Sequence, residues 1–253
     1  MKLINEYIVK IYNMKYLIIP DVHGRTFWKK AKDLINEVDK VVFLGDYLDP
    51  YSHEYILRKD ALVNFHDILA FKKEYPDKVI LLIGNHDYHY WPKYKEYYGC
   101  RRDDERFDQI SELFMTNLDN FQLSYRTENY LFTHAGVLDY WLKVLNGEKR
   151  VRCTVTFNFD HPITIDNLNE LLGNDVLYMV SEERGGRDVY GSCIWADIHE
   201  HFYDAPIPDV YQVFGHTMTY PTISEEYIGP NFAMLDSQHC YILSDGKFQK
   251  IIE

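Results

Sequence analysis

The sequence predicts an α/β fold with mixed α+β character, on three observations. In the first half, short apolar runs alternate with longer stretches at helical spacing, the order of a sheet covered by helices. The C-terminal portion reads as β. Through both, five blocks bearing Asp, Asn or His each follow a strand-like run, which delivers polar side chains to one sheet edge.

The first strand is read at 16–20, in the apolar run Tyr16-Leu17-Ile18-Ile19-Pro20. A helical stretch near 26–38 leads to a second strand at 40–44. Ser52 reads as an N-cap, with Tyr55, Leu62, Phe65, Ile68, Leu69 and Phe71 at mixed helical spacing up to Lys73. Tyr75-Pro76-Asp77 breaks that helix before a third strand at 79–83. After a charged loop at 94–104 come a helix near 108–118, strand-like runs at 121–126 and 129–133, and a helical segment beyond Asp139. The stretch 150–162 is β-branched and aromatic without a clear period, and helical signals return at 166–172 and 176–180. Strands at 211–214, 232–235 and 241–243 end the pattern, and Ser244-Asp245-Gly246-Lys247 is a hairpin turn, because Asp-Gly accepts positive φ.

With 253 residues, 46% apolar and 26% charged, the chain fits one globular domain, expected over 14–253. Residues 1–13 read as an N-terminal extension with Ile4, Ile8 and Ile11 at helical spacing; they lack the unbroken apolar region and cleavage site of a signal peptide. No apolar run approaches the ~18 residues of a membrane span. The 39 acidic residues outnumber the 27 basic ones, for a net charge of −12. That field repels nucleic-acid backbones and disfavours long-tract binding, and bound divalent cations would offset part of it. Cys100, Cys153, Cys193 and Cys240 form no C-x-x-C pair, so reduced thiols and a cytoplasmic location are expected.

The five blocks are Asp21-Val22-His23-Gly24, Gly45-Asp46, Gly84-Asn85-His86-Asp87, Thr133-His134 and Gly215-His216-Thr217. Singly each is weak, since a strand-end Asp is often a helix N-cap. As an ordered set they indicate a metal-dependent hydrolase. Mixed carboxylate, imidazole and amide donors suit divalent Mn, Fe or Zn. Two metals need a shared ligand, and the two oxygens of Asp46 make it the natural bridge.

Pro20-Asp21-Val22-His23-Gly24, Gly45-Asp46-Tyr47-Leu48-Asp49, Gly84-Asn85-His86-Asp87, His134-Ala135-Gly136 and Gly215-His216-Thr217 resemble the blocks of the calcineurin-like metallophosphoesterases. Arg184-Gly185-Gly186 and Trp195-Ala196-Asp197 narrow the resemblance to the phosphoprotein-phosphatase and diadenosine-tetraphosphatase branch. It implies a four-layer fold, two mixed β-sheets between helices, around two divalent metal ions. Carried over by position, Asp21 and His23 would hold one metal, Asp46 would bridge, and Asn85, His134 and His216 would hold the other. Met218 stands where many relatives have a further His, so the first metal is expected to retain water. The implied reaction is in-line attack on a phosphate monoester by a hydroxide bridging the cations. His86 would be the general acid and Asp49 its orienting partner, with Asp87 either a support behind the metal ligands or a competing partner for His86.

One departure matters. The phosphoprotein-phosphatase pattern continues Asp-Arg-Gly, whereas here Asp49 is followed by Pro50-Tyr51, and a phosphate-binding arginine is missing. Arg184 and Arg187 are the expected replacements beside Asn85, ahead of Arg101 and Arg102. The expected substrate is a phosphorylated protein, with a dinucleoside polyphosphate or small nucleotide as the alternative. A non-catalytic scaffold or a nuclease is less favoured.

Overall fold

The computed structural model describes residues 14–96, 101–149, 157, 159–217 and 226–251. The expected extension at 1–13, most of the unassigned 150–162 stretch, Cys100, Cys153 and Met218 lie outside them.

Strands β1 (Tyr16–Ile19), β2 (Lys40–Phe43) and β3 (Val79–Leu82) form where three of the apolar runs were read. Helix α1 (Lys30–Leu34), preceded by a 3-10 turn at Phe27–Lys29, connects the first two. Helix α2 (Arg58–Glu74) connects the next two. The expected N-cap role of Ser52 is not met: Ser52 opens a separate 3-10 turn, Tyr55 turns left-handed, and α2 starts after Leu57. Helices α3 (Asn85–Tyr88) and α4 (Phe107–Thr116) follow.

The run at 121–126 is two strands rather than one. β4 (Phe121–Gln122) pairs with β3, whereas β5 (Ser124–Arg126) pairs with β6 (Tyr130–Thr133) in a second sheet. The chain changes sheets at the fully buried Leu123. Helix α5 (Asp139–Leu145) comes next. The helical signals at 166–172 and 176–180 prove to be 3-10 turns, Leu168–Leu171 and Asp175–Tyr178. Helix α6 (Ile198–Tyr203) precedes β7 (Tyr211–Phe214), β8 (Tyr227–Ile228), β9 (Phe232–Met234), β10 (Cys240–Ser244) and β11 (Lys247–Ile251). Asp245 and Gly246 take φ of 50° and 71° in the turn between β10 and β11, as the Asp-Gly signal requires.

The first sheet runs β11-β10-β1-β2-β3-β4 and the second β5-β6-β7-β9-β8. Both are mixed: β1 to β4 are parallel with β10 and β11 antiparallel, and β6, β7 and β9 are parallel with antiparallel edges. Alternation along each strand sorts the core. Leu17, Ile19, Val41, Phe43, Val79 and Leu81 join Ala61, Phe65 and Ile68 of α2 and Phe114 of α4 on the helix side. Tyr16, Ile18, Val42 and Leu82 meet Phe132, Val213, Ala233 and Leu235 between the sheets. Phe214, Phe232 and Met234 pack with Ile198 of α6 on the far side. The order is helices, sheet, sheet, helix. Each fully buried Leu, Ile or Phe contributes about 1.5–3 kcal/mol to holding the layers together. Among the described residues no helix is long and apolar enough to cross a membrane.

Candidate metal centre

Parallel strands end on the same side, so the segments after β1, β2, β3, β6 and β7 converge. The backbone knits them together. Val22 N and His23 N both donate to Asp46 O (3.1 and 2.7 Å), Gly24 N donates to Tyr47 O (2.9 Å), and Gly215 N donates to His134 O (2.8 Å). His23, Asp46, Asp49 and His216 all adopt left-handed φ, from 45° to 69°. Such conformations cost of order 1–3 kcal/mol each and persist only where the surroundings impose them. Two glycines of the motifs are needed for close approach. A Cβ on Gly84 would lie 2.1 Å from Asp46 Oδ1, and one on Gly215 would lie 2.1 Å from Asp21 Oδ1.

Six of the residues singled out in the sequence meet here, buried. Asp21, His23 and Asp46 form one trio of potential donor atoms, and Asp46, His134 and His216 form another; within each the atoms lie within 4.8 Å of one another. Asp46 belongs to both. Its Oδ2 is 3.5 Å from His23 Nε2 and 3.6 Å from His134 Nε2. Asn85 Oδ1 and His216 Nδ1 each lie 3.0 Å from His134 Nε2. The far nitrogens fix the tautomers: His23 Nδ1 donates to Leu48 O and His134 Nδ1 to Leu44 O, both at 2.8 Å. Carbonyls only accept, so each Nδ1 carries a hydrogen and each ring is held with Nε2 turned into the cluster.

The electrostatics favour the cation-binding form at His23, His216 and Asp46, and oppose it at Asp21. Burial holds the His23 imidazole well below its ordinary value, despite the upward pull of Asp46. Burial, then Arg184 and His134, does the same for His216. Burial alone would raise Asp46, but His134, His86, His23 and the His86 N–H outweigh it and hold the carboxyl low. Asp21 is pushed up by burial, against the pull of His134. Three buried imidazoles, an amide oxygen and two Asp side chains are donor types that suit a borderline divalent ion, and the donor set fits one.

His86 and Asp49 come together beside this cluster, with His86 Nδ1 2.9 Å from Asp49 Oδ2. Asp87 does not compete for that ring. Its carboxylate accepts from the backbone N–H of Asp46 (2.7 Å), Tyr47 (2.9 Å) and Gly84 (2.9 Å), clamping two motif loops to each other.

A cleft of about 480 Å³ opens over the centre, lined in part by Tyr51, Arg101, Glu183, Arg184 and Trp195. Arg184 lines the cleft and is engaged within the protein: Nε donates to His216 Nε2 (3.0 Å), Nη2 to His216 O (2.8 Å), and Nη1 is 3.5 Å from Asp197. An Nε2 that accepts carries no hydrogen, so a cation bound through Nδ1 requires Arg184 to release the ring. Arg187 is a correction to the sequence reading, being exposed and absent from the cleft lining. Arg102 is also removed, because its guanidinium is spent on Asp104 and the carbonyls of His89, Tyr94 and Lys95.

Arg101, ranked below Arg184 and Arg187 in the sequence, lies in the cleft instead. Its guanidinium carbon sits 3.7 Å from the Tyr51 ring centroid, Nε donates to Asp49 O (3.1 Å), and Nη2 to His86 Nε2 (3.2 Å). No motif marks it. Asp236 was also missed: it is buried after β9, and burial followed by the Asp21 charge pushes its carboxyl well up. Leu235-Asp236 repeats the strand-then-acid pattern of the other blocks, so that signal was available.

The calcineurin-like phosphoesterase family model matches residues 14–220, and the chain belongs to that family. Membership makes it a phosphoesterase-type hydrolase of a family that uses divalent metals. The serine/threonine-protein phosphatase 4 catalytic subunit of Eremothecium gossypii is 30% identical over 90 residues, which is 34% of this chain. The chain thus spans about a quarter of that relative's length, 26%. The cold-active protein-tyrosine phosphatase of a psychrophilic Shewanella species superimposes with a TM-score of 0.55 at 17% identity, over 94% of this chain and 80% of that one. A second structure of a cold-active protein tyrosine phosphatase gives 0.54 at 16%, over 95% and 79%. These two likenesses concern the fold.

Proposed function

We propose that the protein is a cytoplasmic two-metal phosphatase, hydrolysing phosphate monoesters of the phosphoprotein type. The observation that carries this reading is the position of Asp46, shared by two buried donor trios under an arginine-lined cleft. Asp21, His23 and Asp46 would hold one divalent ion, and Asp46, Asn85, His134 and His216 the second, with Mn²⁺ preferred over Fe or Zn. When bound, such ions polarise phosphoryl oxygens and acidify water.

The chain's own groups do the rest. Asn85, Arg101 and Arg184 bind the phosphoryl oxygens, Arg101 filling the role that Pro50-Tyr51 leaves open. Tyr51 beneath its guanidinium limits the side chain's freedom and strengthens the site. Asp49 holds His86 by Nδ1 and turns Nε2 toward the cleft. Once Nε2 carries a proton it no longer accepts from Arg101, whose guanidinium is then available to the phosphate. His86 gives that proton to the leaving oxygen as the P–O bond breaks.

Tyr51 and Trp195 in the cleft walls favour a second reading, hydrolysis of a dinucleoside polyphosphate or small nucleotide with a base against an aromatic ring. The test is one assay set on chelated, Mn²⁺-reconstituted protein: an aryl phosphate, a phosphopeptide and diadenosine tetraphosphate. The first reading expects phosphate release from the first two; cleavage of the third alone selects the second reading. Unchanged rates in Asp46→Ala would defeat both.

A further inference from the structure

The Asp49–His86 pair is held by more than the motif that contains it. Tyr90 is fully buried four residues beyond His86, and its hydroxyl donates to Asp49 Oδ1 (2.5 Å). The backbone N–H of Asp103 donates to that same hydroxyl (2.7 Å), which fixes where its hydrogen points. Asp49 therefore has one oxygen on His86 and the other on Tyr90, while its carbonyl accepts from Arg101. Asp103 is anchored in turn by Arg106, 2.9 Å from its Oδ2. Residues 101–103 thus close on Asp49 twice, once through a guanidinium and once through a tyrosine. Asp49 needs this support, since it sits at a left-handed φ of 60° with no secondary structure of its own.

We infer that Tyr90 is a positioning residue for proton delivery, setting the Asp49 carboxylate so that His86 presents Nε2 to the leaving oxygen. This rests on the proposed role of His86. In the step itself the proton passes from His86 Nε2 to the departing oxygen, and the Nδ1 hydrogen stays on His86, donated to Asp49. Tyr90 neither gains nor loses a proton; burial first, then the neighbouring Asp49 charge, pushes its hydroxyl up and keeps it a donor. A general acid matters most when the leaving group is a poor one, so the effect of Tyr90 should grow with leaving-group basicity.

The test is Tyr90→Phe, which preserves the ring packing on Phe107 and Phe114, assayed with Mn²⁺ on a series from dinitrophenyl to phenyl and alkyl phosphates. The expected result is a kcat loss under about 3-fold on the most activated ester and about 10-fold or more on the least, with KM little changed, against the ~10²–10⁴-fold range of general acid catalysis. In an Asp49→Ala background the same change should add nothing on any substrate. An equal loss on every ester, or a full further loss in the Asp49→Ala background, overturns the role of Tyr90. His86→Gln separates the two levels: if its loss is independent of the leaving group, the general-acid reading fails, and if its loss rises with basicity while that of Tyr90→Phe does not, only the Tyr90 inference fails.

Discussion

Asp87→Ala should cost stability out of proportion to its position on a four-residue helix. The carboxylate is fully buried and accepts three backbone N–H groups, from Asp46, Tyr47 and Gly84, at 2.7 to 2.9 Å. Alanine leaves those donors without an acceptor in a site too tight to hydrate freely. A buried donor left unsatisfied costs about 1–3 kcal/mol, so three cost about 3–9 kcal/mol. The lower half of that range is expected, because alanine also removes a carboxyl whose burial is itself unfavourable. Against a total stability of about 5–15 kcal/mol, a loss near 3–5 kcal/mol is large but survivable. Asp87→Asn keeps one carbonyl oxygen and should lose about 1–3 kcal/mol. Urea unfolding of the chelated protein, followed by circular dichroism, reads both. A loss below about 1 kcal/mol for Asp87→Ala would refute the clamp and return Asp87 to the group of candidate partners for His86.

Gly215→Ala places a methyl against Asp21 Oδ1; Mn²⁺ affinity, measured by calorimetry, should fall about 10–100-fold with the fold retained. On the proposed function, Arg101→Met and Arg184→Met would each remove charge-assisted bonds to the phosphoryl group worth about 1.5–3 kcal/mol, so kcat/KM should fall about 10–100-fold, whereas Arg187→Met should change neither kcat nor KM. The His89 imidazole is lowered to about 3 by burial, then by His86. Its folded value lies below its unfolded one, so the unfolded chain binds the extra proton and stability falls as pH drops below about 6.5. From pH 6.5 to 5 this single group should contribute a loss of about 1.6 kcal/mol, which His89→Gln should remove from the unfolding curves of the chelated protein.

Much of the fold was legible because buried parallel strands are short, apolar and bounded by polar residues. β1, β2, β3 and β7 lie within a residue or so of where the runs placed them. The motif residues were legible for a related reason, since strand ends converge whatever the loops do. What was hidden depends on tertiary contacts. The alternation at 121–126 does not encode which sheet each residue joins, and only the register of β4 with β3 and of β5 with β6 reveals the crossing. Arg101 carries no local signal, because its place is set by Tyr51, Asp49 and His86, distant in sequence. Arg187 read as well as Arg184 in the chain, but Arg184 faces His216 and Arg187 faces solvent.

The most direct measurement is Mn²⁺ binding and hydrolysis in one titration of the chelated protein. Calorimetry should give two ions per chain, with phosphatase activity on an aryl phosphate absent before metal and rising with occupancy. Asp46→Ala should abolish both the binding of at least one ion and the activity. Full hydrolysis by the chelated protein, or a wild-type rate from Asp46→Ala, would contradict a metal centre built around Asp46.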